Sequence, residues 1–159
     1  MSTVDNIQVP LFETASPGYE VDFCAWSNEQ ARRLRAMRIP GLDIENVAEE
    51  IESLGRSDKR ELRSRMIVLL AHLLKWSAQP ELSGRSWRAT IGVQRRQIAI
   101  LLDDSPSLRP LLKQVMVDEY GRAVATAVRE TGLFAESFPA GCVWTADEVL
   151  GDDFFPAAA

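Results

Sequence analysis

Four carboxylates near the start of the most regular segment offer the first prospect of chemistry. Glu45, Glu49 and Glu52 recur at spacings of three and four, which puts them on one helical face, with Glu50 beside them. Helical dimetal proteins combine such glutamates with Glu-x-x-His pairs drawn from several helices. Here the single histidine is His72, and the residue three before it is Leu69. That pattern is missing, so no metal and no cofactor is expected. The carboxylates read better as a solvated acidic face, with Glu52 paired to Arg56 four residues on.

His72 lies within MIVLLAHLLKW, four residues before Trp76, so the two rings can share one face. A histidine in that setting could act as a base with a shifted pKa. A metal or hydrolytic site would need Glu49 or Glu50 brought beside it. No nucleophile stands at a spacing that makes a dyad with it, and no catalytic residue is assigned. The expectation is a largely inaccessible imidazole with one hydrogen bond to a backbone or carboxylate oxygen. A third group is basic: Arg56, Lys59, Arg60, Arg63 and Arg65, then Arg85, Arg88, Arg95 and Arg96, with Trp87 interleaved. Nucleic-acid surfaces mix charge and aromatics in this way. Against that, Glu61 can pair with Arg65, Asp58 interrupts the run, and Trp87 fits the apolar stripe of its own helix, so an exposed helix face is the stronger reading. GxGxxG, GxxxxGK[ST], HExxH and GxSxG do not occur. The binding candidates are His72, Trp76, Glu49, Glu50, Trp87 and Arg88.

The elements that would position these residues are helical. From Ile44 to Trp76, apolar residues keep one helical phase across Gly55, with Asp58 as the conspicuous polar gap. That phase predicts a continuous helix over 43–78, capped by Asp43 and stopped at Gln79-Pro80. Asp22 predicts the cap of an earlier helix over 22–38, with Phe23, Trp26, Leu34 and Met37 on its buried face and Pro40-Gly41 after it. Ser86 can cap a third over 86–102, with Trp87, Ile91, Ile98, Leu101 and Leu102 inward. Ser107 can cap a fourth over 107–131, which keeps Pro110 in the first turn and ends at Gly132. Thr145-Ala146-Asp147-Glu148 is a capping box for a short helix over 145–150. With no convincing strand, the expected class is all-α: four main helices plus a short one in a single domain, 19–159, behind an extended or partly disordered arm, 1–18.

Bulk properties agree. A chain of 159 residues, 46% hydrophobic and 26% charged, can bury a core without staples. Its net charge of −5 argues mildly against a dedicated nucleic-acid binder. Cys24 and Cys142 have no CxxC spacing and read as reduced thiols of a cytoplasmic protein. The opening residues lack the pattern of a secretory leader, and MIVLLAHLL is about half the length a membrane span needs.

The segments AWSNEQARRLR, ENVAEEIESLGRSDKRELRSR, HLLKW, SWRATI, DSPSLRP and FPAGCVWTADEVL, taken as a set, resemble the bacterial family known as domain of unknown function 29. The likeness covers about residues 19–156. It implies an all-helical domain and, because that family has no assigned activity, no catalytic residues.

The function expected from the residues is a small interaction module that forms a dimer or acts through a protein partner. A helix over 43–78 would be about 54 Å long, against a diameter of roughly 40 Å for a compact chain of this size. Either the helix breaks at Gly55, or one end projects and offers Ile44, Val47 and Ile51 to a partner. The alternatives are a nucleic-acid-linked regulator using the Arg56–Arg65 face, and an enzyme or metal protein using His72 with Glu49 or Glu50.

Overall fold

Asp22 and Asp43 do what their positions predict. Each accepts a hydrogen bond from the backbone N–H three residues on, Ala25 and Asn46 respectively, and a helix follows each. A computed structural model describes residues 17–158, so the arm expected over 1–18 lies outside the described residues except for Pro17 and Gly18. The α-helices are α1 (Phe23–Arg35), α2 (Ile44–Ala78), α3 (Arg85–Asp104), α4 (Leu112–Thr131) and α5 (Ala146–Leu150). No described residue is in a strand, and the fold is all-α.

The spine is α2, whose 35 residues run unbroken through Gly55 for about 53 Å. Gly55 marks a close crossing of helices and no break. A Cβ there would sit 2.4 Å from the Ser27 hydroxyl and 3.3 Å from the Cys24 carbonyl of α1. The buried face of α1 is correspondingly small: Cys24, Ser27 and Ala31. This corrects the expected face of Phe23, Trp26, Leu34 and Met37. Large side chains would hold the helices too far apart, so Phe23 and Trp26 turn aside and pack with Tyr19, at centroid distances of 5.0 to 6.0 Å. α1 also ends at Arg35, short of 38, because Ala36 and Met37 donate back to Arg33 and Leu34 in a tightened last turn before Gly41 at φ 80°.

The second half of α2 is the core. Leu62, Met66, Leu69, Leu70, Leu73 and Leu74 are sealed against Ile91 and Ile98 of α3 and Val115, Ala123 and Ala127 of α4. Two helix starts differ from the sequence reading. α3 begins at Arg85 with Gly84 in the cap position, where an extended glycine carbonyl accepts from Arg88, and Ser86 lies inside the first turn. Residues 106–111 form a 3-10 helix before α4 begins. Ser107 caps no helix of its own, since its N–H and hydroxyl both donate to Asp22 of the α1 start. The 3-10 path also has no i−4 hydrogen bond for Pro110 to break. Gly132 at φ 75° closes α4, and the Thr145–Glu148 capping box opens α5, both as the sequence implied.

Arg95 ties the end of the chain to this core. Only 3% exposed, it donates to the carbonyls of Val149, Asp152 and Phe154 at 2.9, 3.2 and 2.7 Å. The expectation of an exposed basic face therefore fails at Arg95, whose charge is compensated by main-chain carbonyls and by the nearby Asp152 and Asp153.

Candidate functional site

The residues singled out for chemistry fall at two separate ends of the molecule. Trp76, Trp87 and Arg88 gather where α2 meets α3, and His72 lies one turn before Trp76 on α2. Trp76 packs on Phe155 with centroids 4.6 Å apart, and the Arg88 guanidinium lies over both rings at 5.4 and 4.3 Å. Lys75, which sequence reasoning passed over, is buried between the Trp87 ring and the Glu130 carboxylate, 2.6 Å away. His72 is half-buried and its Nδ1 donates to the Val68 carbonyl at 2.9 Å. Burial holds its pKa below the usual histidine value, with the Lys75 charge pushing the same way.

Glu49 and Glu50 are elsewhere. Glu50 and His72 stand 22 residues apart in one unbroken helix, about 33 Å along the axis, so a site joining them within one chain is ruled out. Arg35 reaches across from α1 to Glu45, Glu49 and Glu52 at 2.9, 3.3 and 2.9 Å, and Arg56 joins Glu49 and Glu52. Among the described residues, no three His, Cys, Asp or Glu side chains are grouped to hold a metal ion. Three of the five residues in the basic run are ion-paired: Arg56 with these glutamates, Arg63 with the buried Glu119 at 3.7 Å, Arg65 with Glu61 at 2.7 Å.

A different feature stands between these ends. The C-terminus of α3, the start of α1 and the middle of α2 enclose a cleft of about 400 Å³. Tyr19 and Phe23 form one wall, and the carboxylates Glu20, Asp58, Glu61 and Asp104 reach into it. Asp58 is the polar gap of the α2 stripe, and its partner explains it. The Ser105 hydroxyl donates to Asp58 at 2.7 Å and accepts from the Cys24 N–H at 3.1 Å. Burial raises the Asp58 pKa; the Ser105 hydrogen bond opposes this, while Glu61, Asp104 and Asp22 add to it. One turn back, Leu54, Ile51, Val47 and Ile44 continue the same flank of α2 at alternating spacings of three and four. α3 covers this flank beyond Asp58 and stops at Asp104. Val47 and Leu54 are left 37% and 48% exposed.

A family model for a domain of unknown function, DUF29, matches residues 19–155. The chain belongs to the DUF29 family. No curated protein matches it. It is similar to the crystal structure of an alpha-helical protein of unknown function from Rhodospirillum rubrum. The identity is 27%, the TM-score 0.67, and the match covers 88% of this chain and 93% of that one.

In this DUF29 chain burial acts on both thiols and on one tyrosine. Cys24 is buried and Cys142 half-buried, and burial raises both thiols above their ordinary pKa. The Tyr120 hydroxyl, pushed up to about 12 by burial, donates to the Pro139 carbonyl at 2.8 Å. What the surface does offer is an apolar flank that leads into a negatively charged cleft. No helix of the described residues is long and apolar enough to cross a membrane.

Proposed function

We propose that the protein is a helical interaction module whose docking face is the open flank of α2. One observation carries this reading. The flank bearing Ile44, Val47, Ile51 and Leu54 has the apolar spacing that receives a helix, and beyond Asp58 the same flank of the same helix does receive one, α3. Four apolar side chains on a rigid helix are a recognised way to anchor a partner helix at i, i+3, i+7 and i+10 positions. The pairing of Arg56, Arg63 and Arg65 within the chain counts against a nucleic-acid surface on the Arg56–Arg65 face. A cytoplasmic location fits the two free thiols.

The test is a photoreactive side chain placed at Val47 or Leu54 in cells, with Arg60, on the far side of α2, as control. Adducts of defined mass at 47 and 54, absent at 60, are the expected result. No adduct at 47 or 54, or equal labelling at 60, overturns the reading. A second reading, self-association through the same flank, is supported by the three-four spacing, which also suits a second copy. It requires an adduct of twice the chain mass and a dimer by light scattering.

A further inference from the structure

The charge around the open flank restricts what can lie on it. Helical geometry puts Asp43, Glu50 and Glu61 along its outer edge, all exposed. At its far end lies the cleft with Glu20, Asp58, Glu61 and Asp104, of which only Glu61 has a cationic partner, Arg65, among the described residues. A third feature points the same way. The last turn of α3 contains no basic residue and ends in Asp103-Asp104, although a helix C-terminus, with its unpaired carbonyls, favours positive charge. Arg109 compensates Asp103 at 2.7 Å; Asp104 faces the cleft. Tyr19 and Phe23 line the same space with aromatic rings. Two copies of this chain laid flank to flank would set carboxylate edges together, so the charge disfavours self-pairing.

We propose that the flank of Ile44, Val47, Ile51 and Leu54 receives an amphipathic helix of another protein, edged with Lys or Arg, one of whose cations enters the cleft at Asp58. The helix would lie on α2 in line with α3, and from Ile44 to Asp58 it has about 21 Å, or four turns, of surface. The apolar contacts supply affinity, and the acidic edge and cleft supply choice of partner and orientation.

This rests on the interaction reading, and a distinct experiment separates the two. The full-length protein is used to select from a display library of 18-residue amphipathic helical peptides with randomised edge residues. Enriched peptides should carry apolar residues at spacings of three and four with Lys or Arg along one edge. Their affinity should fall about tenfold or more with Leu54→Lys, as for a central contact, and should weaken as salt is raised. Asp58→Asn with Asp104→Asn should reduce the preference for basic over neutral edges while leaving apolar binding. Melting curves for each variant separate loss of binding from loss of fold. Enrichment of neutral or acidic edges, or no enrichment, overturns the proposal. If the position-specific adducts at 47 and 54 still form, the interaction reading stands and the partner chemistry was wrong. Adducts to the chain's own residues 1–16, or a dimer that Leu54→Lys dissolves, would likewise replace the basic partner with a different occupant.

Discussion

The two halves of α2 are built from one continuous backbone but stabilised by opposite means. Past Asp58 the helix is walled in, and Leu62 through Leu74 meet side chains of α3 and α4. Before Gly55 its neighbour among the described helices is α1, which it meets through glycine, alanine, serine and cysteine. There the surface is held by Arg35 and Arg56 among glutamates, an arrangement worth little per pair in water. One apolar phase runs through both halves, more densely in the second; the difference that matters is what covers the stripe. Amphipathic pattern thus locates a face without saying whether the chain itself will fill it.

Truncating matched leucines tests this contrast most sharply. Leu69→Ala or Leu73→Ala should each cost about 2–5 kcal/mol in denaturant unfolding, whereas Val47→Ala and Leu54→Ala should stay within about 0.5 kcal/mol of the parent. Equal losses in both halves would mean that the first half is covered after all. The next effect concerns the crossing. Gly55→Ala gains about 1 kcal/mol of helix propensity but forces a methyl onto Ser27 and the Cys24 carbonyl. A net loss of about 1–3 kcal/mol is expected, only partly relieved by adding Ser27→Gly, because the Cys24 carbonyl remains. A stabilised Gly55→Ala protein would show that α1 is loosely held.

His72 gives a smaller, pH-dependent effect in the covered half. Its folded pKa is lowered by burial, so the native state favours the neutral ring and the unfolded chain binds the extra proton first. Stability should be fully present above about pH 6.5 and decline as pH falls from there through the folded value. His72→Gln should flatten the stability profile over that window, leaving the lower-pH losses from carboxylates such as Glu130, whose pKa Lys75 holds down. The smallest change is expected in the open half. Arg35→Gln should lower the melting temperature slightly at low salt and indistinguishably from the parent at high salt, where exposed pairs are screened. A persistent difference at high salt would show that the Arg35 cluster acts as more than a surface network.

What the sequence made legible was local. Asp22, Asp43, Gly132 and the Thr145–Glu148 box act within a turn or two, and their residue types alone reveal them. The continuity of α2 was legible too, since hydrophobic phase accumulates over many residues. Gly55 was not, because its reason lies in Ser27 and Cys24 of another helix. Lys75 was passed over and Arg95 misread for the same cause: their partners, Glu130 and the carbonyls of Val149, Asp152 and Phe154, lie more than 50 positions away. Asp58 left a trace as the one polar gap in the stripe. Its role needed Ser105, 47 residues on, and the end of α3.

The grip of Arg95 on the chain end has a consequence for how this tail can vary. The guanidinium's three hydrogen bonds all go to carbonyl oxygens, which every amino acid carries, so an exchange at Asp152 or Asp153 removes a favourable charge near the cation but none of the three bonds. Spacing is different. Removing or adding one residue between Val149 and Phe154 would carry at least one of the three carbonyls out of reach. The tail should therefore accept exchanges of residue readily and changes of length hardly at all.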